Sequence, residues 1–137
     1  MARNNKNFFR ILDANFNRAK EALRVCEDIA RYVWNAKSLT RSFKDLRHGL
    51  TEVIGRLEGT KILQSRDAAS DVGRPSSRGE FKRRDIESVF FANTQRIKES
   101  LRVLEEVSKL LDAKSAESFK GLRYRAYVLE QKAATKR

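Results

Sequence analysis

The sequence predicts an all-α fold, a four-helix bundle built from two pseudo-symmetric helical hairpins joined by a long loop. Three observations predict it. The 137 residues include one proline and six glycines, too few for the frequent turns of a sheet, and Leu, Ala, Glu, Lys and Arg dominate the periodic segments, as helices favour. In four segments apolar residues recur at three- and four-residue steps, the spacing of one helix face. The chain also repeats itself. Ala14 through Asp28 lies over Ala92 through Glu106 at an offset of 78, with nine of fifteen positions identical, where unrelated segments share about one.

The first helix is expected from near Phe8 to near Trp34, because Leu12, Phe16, Ala19, Leu23, Cys26, Ala30 and Val33 share one face. Ser38 stands where an N-cap belongs, before a second helix carrying Leu39, Phe43, Leu46, Leu50, Val53 and Ile54. The second copy follows the same order, with a helix from Asp85 to Leu111, an N-cap at Ser115 and a shorter helix carrying Phe119, Leu122, Tyr124, Tyr127 and Leu129. Phe43-Lys44-Asp45-Leu46-Arg47 matches Phe119-Lys120-Gly121-Leu122-Arg123 at an offset of 76, so each copy holds two matched elements. Connections of a few residues force each pair of helices to run antiparallel. The organisation expected is one domain over 1–137, with the first repeat at 8–57, a linker at 58–80 and the second repeat at 81–134. Within the linker only Ile62-Leu63 suggests a turn of helix, and Gly73-Arg74-Pro75-Ser76 reads as a turn.

Composition excludes several classes. No run of about 18 apolar residues exists to span a membrane, and the first residues lack the apolar stretch of a secretory signal, so a cytoplasmic location is expected. A lone cysteine, Cys26, and a lone histidine, His48, offer neither an internal disulfide nor a zinc cluster. Both read as non-catalytic, Cys26 in the core and His48 at the surface. A net charge of +12 calls for anionic partners, whether nucleic acid, phosphorylated metabolites or an acidic protein surface. The cations are interleaved with Glu and Asp instead of gathered in a stripe, which favours small phosphorylated ligands over nucleic acid.

Polar residues stand at telling positions. Asn15 and Asn93 fall within the apolar stripes of matched helices, where a buried amide needs partners. They satisfy each other or nearby carbonyls, or else line a central pocket and meet a heterocyclic ligand. Arg18, Glu21 and Arg24, with Arg96, Glu99 and Arg102, flank the stripes at three-residue steps, as surface ion-pair ladders do. Arg47 and Arg123 adjoin core leucines, so their guanidiniums suit a carboxylate from Glu21 or Glu99, or a phosphate. In the linker, Arg66 and Arg74 suit oxyanions, while Asp67 and Asp71 suit magnesium, the functions that phosphoryl transfer needs. No Walker loop, dinucleotide fingerprint or kinase catalytic loop occurs in the sequence.

Taken together, Arg10-Ile11-Leu12-Asp13-Ala14-Asn15 with Asn17-Arg18, Glu21-Ala22-Leu23-Arg24-Val25 with Glu27-Asp28, Leu46-Arg47-His48, Arg66-Asp67 with Asp71-Val72-Gly73, Ala92-Asn93 with Arg96, Leu101 through Glu106, Leu122-Arg123-Tyr124-Arg125 and Leu129-Glu130 cover nearly the whole chain. In these motifs it resembles the small hydroxymethylpyrimidine-phosphate kinases of thiamine biosynthesis, found alone or fused ahead of thiamine-phosphate synthase. It departs from that family's pattern at Ser70, where the family has glycine, and at Arg74, where it has threonine. The resemblance implies transfer of phosphate from ATP, with magnesium, onto a phosphorylated pyrimidine substrate, and thiamine-phosphate synthase as functional partner. On that reading Asn15, Asn93, Glu21 and Glu99 with Arg18 and Arg96 bind substrate. Arg24, Arg102, Arg47, Arg123 and Gly73 bind phosphate, Asp67, Asp71 and Arg66 form the catalytic set, and Asp67 and Asp71 hold the metal. Two alternatives stand beside it: a basic nucleic-acid-binding domain, and a non-catalytic docking domain for the synthase.

Overall fold

The computed structural model describes residues 2–57, 59–75 and 82–135, with side chains described throughout these except at 2–4 and 60. The expected linker lies outside the described residues at 58 and 76–80, and so does Ser76 of its expected turn. Among the described residues every regular element is a helix, so the all-α reading holds: α1 Ala2–Asp28, α2 Lys37–Arg56, α3 Gly59–Gln64, α4 Ile86–Ser108 and α5 Ala113–Thr135. The helix foreseen around Ile62-Leu63 is α3, and Ile62 buries its side chain in the core.

The first helix begins at Ala2, six residues before the expected Phe8, and its last turn widens into a π-turn over Ile29–Val33. The extra residue per turn keeps Ile29 and Ala30 in the core. Asn35 then takes a left-handed conformation with φ 50°, which asparagine tolerates better than most residues, and the chain reverses into α2.

Two expected caps are corrected. Ser38 does not cap α2, which starts one residue earlier behind an extended Ala36 that supplies no side-chain cap. Ser115 does not cap α5 either. It sits inside the first turn, and its backbone N–H and hydroxyl both donate to Asp112. The same arrangement opens α4, where Asp85 accepts from the backbone N–H and hydroxyl of Ser88, each at 2.8 Å. A carboxylate that takes two donors satisfies the first turn better than a hydroxyl and also faces the positive end of the helix dipole.

Cys26 donates to the carbonyl of Phe90 near one end of the bundle, while Val103 shares a groove with Arg10 and Ala14 near the other. Helices α1 and α4 therefore run antiparallel. One buried cluster joins Leu12, Leu23 and Cys26 of α1 to Leu46 and Leu50 of α2, Phe90, Ile97 and Leu101 of α4, and Phe119 of α5. Phe90 is its aromatic hub, with ring centroids 4.7 Å from Trp34, 5.7 Å from Phe43 and 5.1 Å from Phe91. Trp34 thus plugs the core at the end of its helix. Burial pushes the Cys26 thiol well above its ordinary range, with the nearby Glu130 charge adding to the effect, so Cys26 acts as a small apolar residue.

Each hairpin is pinned by the same buried ion pair. Arg47 Nε donates to Glu27 Oε1 at 2.9 Å, and Arg123 Nε donates to Glu105 Oε1 at 3.0 Å. All four side chains are about nine-tenths buried. The expected partners were Glu21 and Glu99, which are exposed; the true partners lie six residues further along the helix, where the stripe turns toward the facing hairpin arm. Removing one member of a buried pair strands its partner's charge and costs about 3–5 kcal/mol, whereas replacing both with apolar residues of similar volume is often neutral.

Two outcomes are expected. Glu105→Ala lowers the midpoint of urea unfolding by an amount matching about 3–5 kcal/mol, and Glu105→Leu combined with Arg123→Met recovers most of the loss. The hydrogen bonds from Ser88 and Ser115 hold the Asp85 and Asp112 carboxyls below their ordinary value of 3.8. A folded-state value lower than the unfolded one contributes stability above the unfolded value and loses it as pH falls through the folded one. Melting temperature should therefore decline as pH drops below 3.8. The double variant Asp85→Ala, Asp112→Ala should melt lower at neutral pH and lose less on acidification.

Candidate functional site

Helix α1 carries Arg10, Ala14, Arg18 and Glu21 along one stripe, a spacing that keeps them on one face. The segment after α3 turns back over that face, and a groove of about 860 Å³ opens between them, with Val103 of α4 at its edge. Arg66 holds the segment down: its Nε and Nη2 donate to both oxygens of Asp13 at 2.8 and 2.9 Å. Asp13 is buried while Arg66 is about half exposed. The planar fork on a carboxylate fixes direction as well as distance, and its hydrogen bonds raise the Arg66 pKa above the ordinary value. Ser65, also buried, donates its hydroxyl to the carbonyl of Ile62 and anchors the segment where α3 ends.

Asp67 and Asp71 lie on this segment and line the groove. Each uses one oxygen to shape its own backbone, Asp67 Oδ1 accepting from Ser70 N–H at 3.1 Å and Asp71 Oδ1 from Gly73 N–H at 2.8 Å. Among the described residues no group of three or more His, Cys, Asp or Glu is arranged to hold a metal. The two remaining carboxylate oxygens fit magnesium only as it is commonly bound, with waters or phosphate oxygens completing the shell. Asn15 is buried; its Nδ2 donates to the carbonyl of Ile11 at 2.9 Å, and its Oδ1 accepts from Arg18 at 3.4 Å. The charged residues lining the groove are Arg10, Arg18 and Arg66 against Asp13, Glu21, Asp67 and Asp71. Three positive charges face four negative ones.

The matching residues of the second copy do not reach this groove. Asn93 donates to the carbonyl of Val89 at 2.8 Å, the same local bond as Asn15, and Arg96 is exposed. Glu99 and Arg102 line a separate cavity of about 310 Å³ with Arg123 and Tyr127. The expected common cavity across the repeat is therefore corrected. Antiparallel packing carries the polar clusters of α1 and α4 toward opposite ends of the bundle. Arg102 bonds Glu106 at 3.1 Å, and Arg24 approaches Glu27 at 3.7 Å, in place of the Glu99 and Glu21 of the expected ladders. Arg47 and Arg123 spend their guanidiniums on Glu27 and Glu105, and Gly73 serves the loop turn at Asp71. Sequence reasoning missed Asp13 as the partner of Arg66 and Arg10 as a wall of the groove. Asp13 carried a signal, an acidic residue two positions before the buried Asn15, but its partner lies 53 positions away.

The fold and groove define a small all-helical domain with a mixed-charge cleft against one helix. The chain belongs to the ThiD2 family, which matches residues 10–132. It is 41% identical over 119 residues to a thiamine-phosphate synthase of Rhodopirellula baltica, covering 86% of this chain and 32% of that protein. A thiamine-phosphate synthase of Thermosynechococcus vestitus is 40% identical over 89% of this chain and 34% of its own length, and one of Synechocystis is 39% identical over 88% and 34%. The chain thus spans about a third of the length of the curated relatives it matches. No solved structure matches the chain. These relatives overturn the expectation of an ATP-dependent pyrimidine-phosphate kinase: they are named thiamine-phosphate synthase, and their names describe no kinase.

The Arg66–Asp13 pair makes the segment's position testable. In Asp13→Asn, amide exchange at Ser70 and Gly73 should rise while exchange in the middle of α1 and α4 stays at the level of the native chain. Unchanged exchange at those two amides would show that the segment is held by something else.

Proposed function

We propose that the chain is a non-catalytic docking domain for thiamine-phosphate synthase in thiamine biosynthesis. The observation that carries this reading is that thiamine-phosphate synthases contain a segment like this chain over about a third of their length, leaving two-thirds that it does not resemble. Charge supports it. The chain carries +12 overall, yet the groove lining carries one more carboxylate than guanidinium. The positive excess therefore lies on other faces, where it speeds and orients encounter with an acidic partner surface. Within the docked domain, the groove holds a phosphorylated pyrimidine, with Arg10 and Arg18 toward its phosphate and the amide of Asn15 toward its ring, for the synthase to consume.

Sedimentation velocity of this chain mixed with thiamine-phosphate synthase from the same cell tests the reading. A single faster boundary containing both proteins at micromolar concentration is expected, weakening as salt is raised. Two independent boundaries at low salt would refute it.

A further inference from the structure

Resting on that docking reading, we infer that the docking surface is the groove between α2 and α5, and that its occupant is a stretch of the synthase surface bearing an apolar side chain flanked by carboxylates. Two adjoining cavities, of about 390 and 360 Å³, run along this seam and share Ser42, Leu129 and Lys132. At one end Trp34 and Leu39 form an apolar floor. At the other, Tyr124 and Val128 stand on the wall, each about half exposed. They are one helical turn apart on α5, and together with the floor they form an apolar strip open to solvent, which a folded partner would cover.

Charge selects the partner. Lys37, Arg125 and Lys132 line these cavities against one carboxylate, Asp45. That ratio reverses the one in the groove beside α1, where carboxylates outnumber guanidiniums. The positive excess of the chain is thus expressed where apolar side chains are also exposed, an apolar centre with a charged rim, as interfaces are built. A second copy of this chain would bring the same cations against each other, which long-range repulsion opposes. Gly121 leaves the wall low at the middle of the seam: a Cβ built there meets nothing within 4 Å, so a side chain added at this position projects into the groove without disturbing the core.

The test measures binding of the full chain to thiamine-phosphate synthase by sedimentation and by titration calorimetry, for the native protein and three variants. Arg125→Glu with Lys132→Glu reverses the rim, Gly121→Gln fills the groove, and Arg66→Ala alters only the cleft beside α1. The first two variants are expected to bind at least tenfold more weakly with native helicity and melting temperature, and Arg66→Ala to bind as the native chain does. Full-strength binding by both α2–α5 variants would overturn this surface while leaving the docking function standing. Failure of the native chain to bind would overturn both. A self-association of the native chain that both α2–α5 variants abolish would assign the groove to a second copy and overturn the stated occupant.

Discussion

Everything in this molecule is arranged by the antiparallel packing of α1 against α4. The two helices share sequence, so in isolation their polar residues would be equivalent. Packed head to tail, they share one apolar seam around Leu12, Leu23, Phe90, Ile97 and Leu101, while their amides and guanidiniums are carried toward opposite ends. The other arm of each hairpin is then fixed by a buried Glu–Arg pair, Glu27 with Arg47 and Glu105 with Arg123. Such pairs contribute little net stability, because desolvation offsets their attraction, but a misaligned hairpin would bury an unpaired charge. They therefore act on register, and they act the same way in both halves.

Functional difference between the halves arises from what surrounds this shared frame. The segment after α3 folds over α1 and is latched through Arg66 to Asp13, giving the first copy a cleft. Over the second copy the corresponding residues, Glu99 and Arg102, line a smaller cavity with Arg123. One ancestral pattern thus supports a cleft on one side and a charged surface on the other. The positive charge of the chain is also divided, balanced by carboxylates at the cleft and outnumbering them along the α2–α5 seam. This division favours a protein-facing role over chemistry confined to the cleft.

The helices and their pairing were legible in the sequence because period and repetition are local signals, and most of the apolar stripes named there form the observed core, although Val33, Tyr124 and Tyr127 face solvent. Helix ends were less legible. Ser38 and Ser115 looked like caps by residue type, yet Asp112 displaces one through a stronger double acceptance, and a π-turn with a left-handed Asn35 moves the entry to α2. The Glu27 and Glu105 pairings were half visible: their identity in both copies was on the page, but choosing them over Glu21 and Glu99 needed the direction in which each helix face turns. The cleft was the least legible feature. It depends on a contact between Asp13 and Arg66 far apart in sequence, and on helix direction, which a repeat alone does not specify.

The most direct measurement of the central claim is a quantitative nucleotide assay on the purified chain, supplied with ATP, magnesium and hydroxymethylpyrimidine phosphate in the absence of any synthase. A docking domain releases no ADP above the rate of ATP hydrolysis in buffer, and leaves the monophosphate unchanged. Formation of ADP matched one for one by pyrimidine diphosphate would contradict the account.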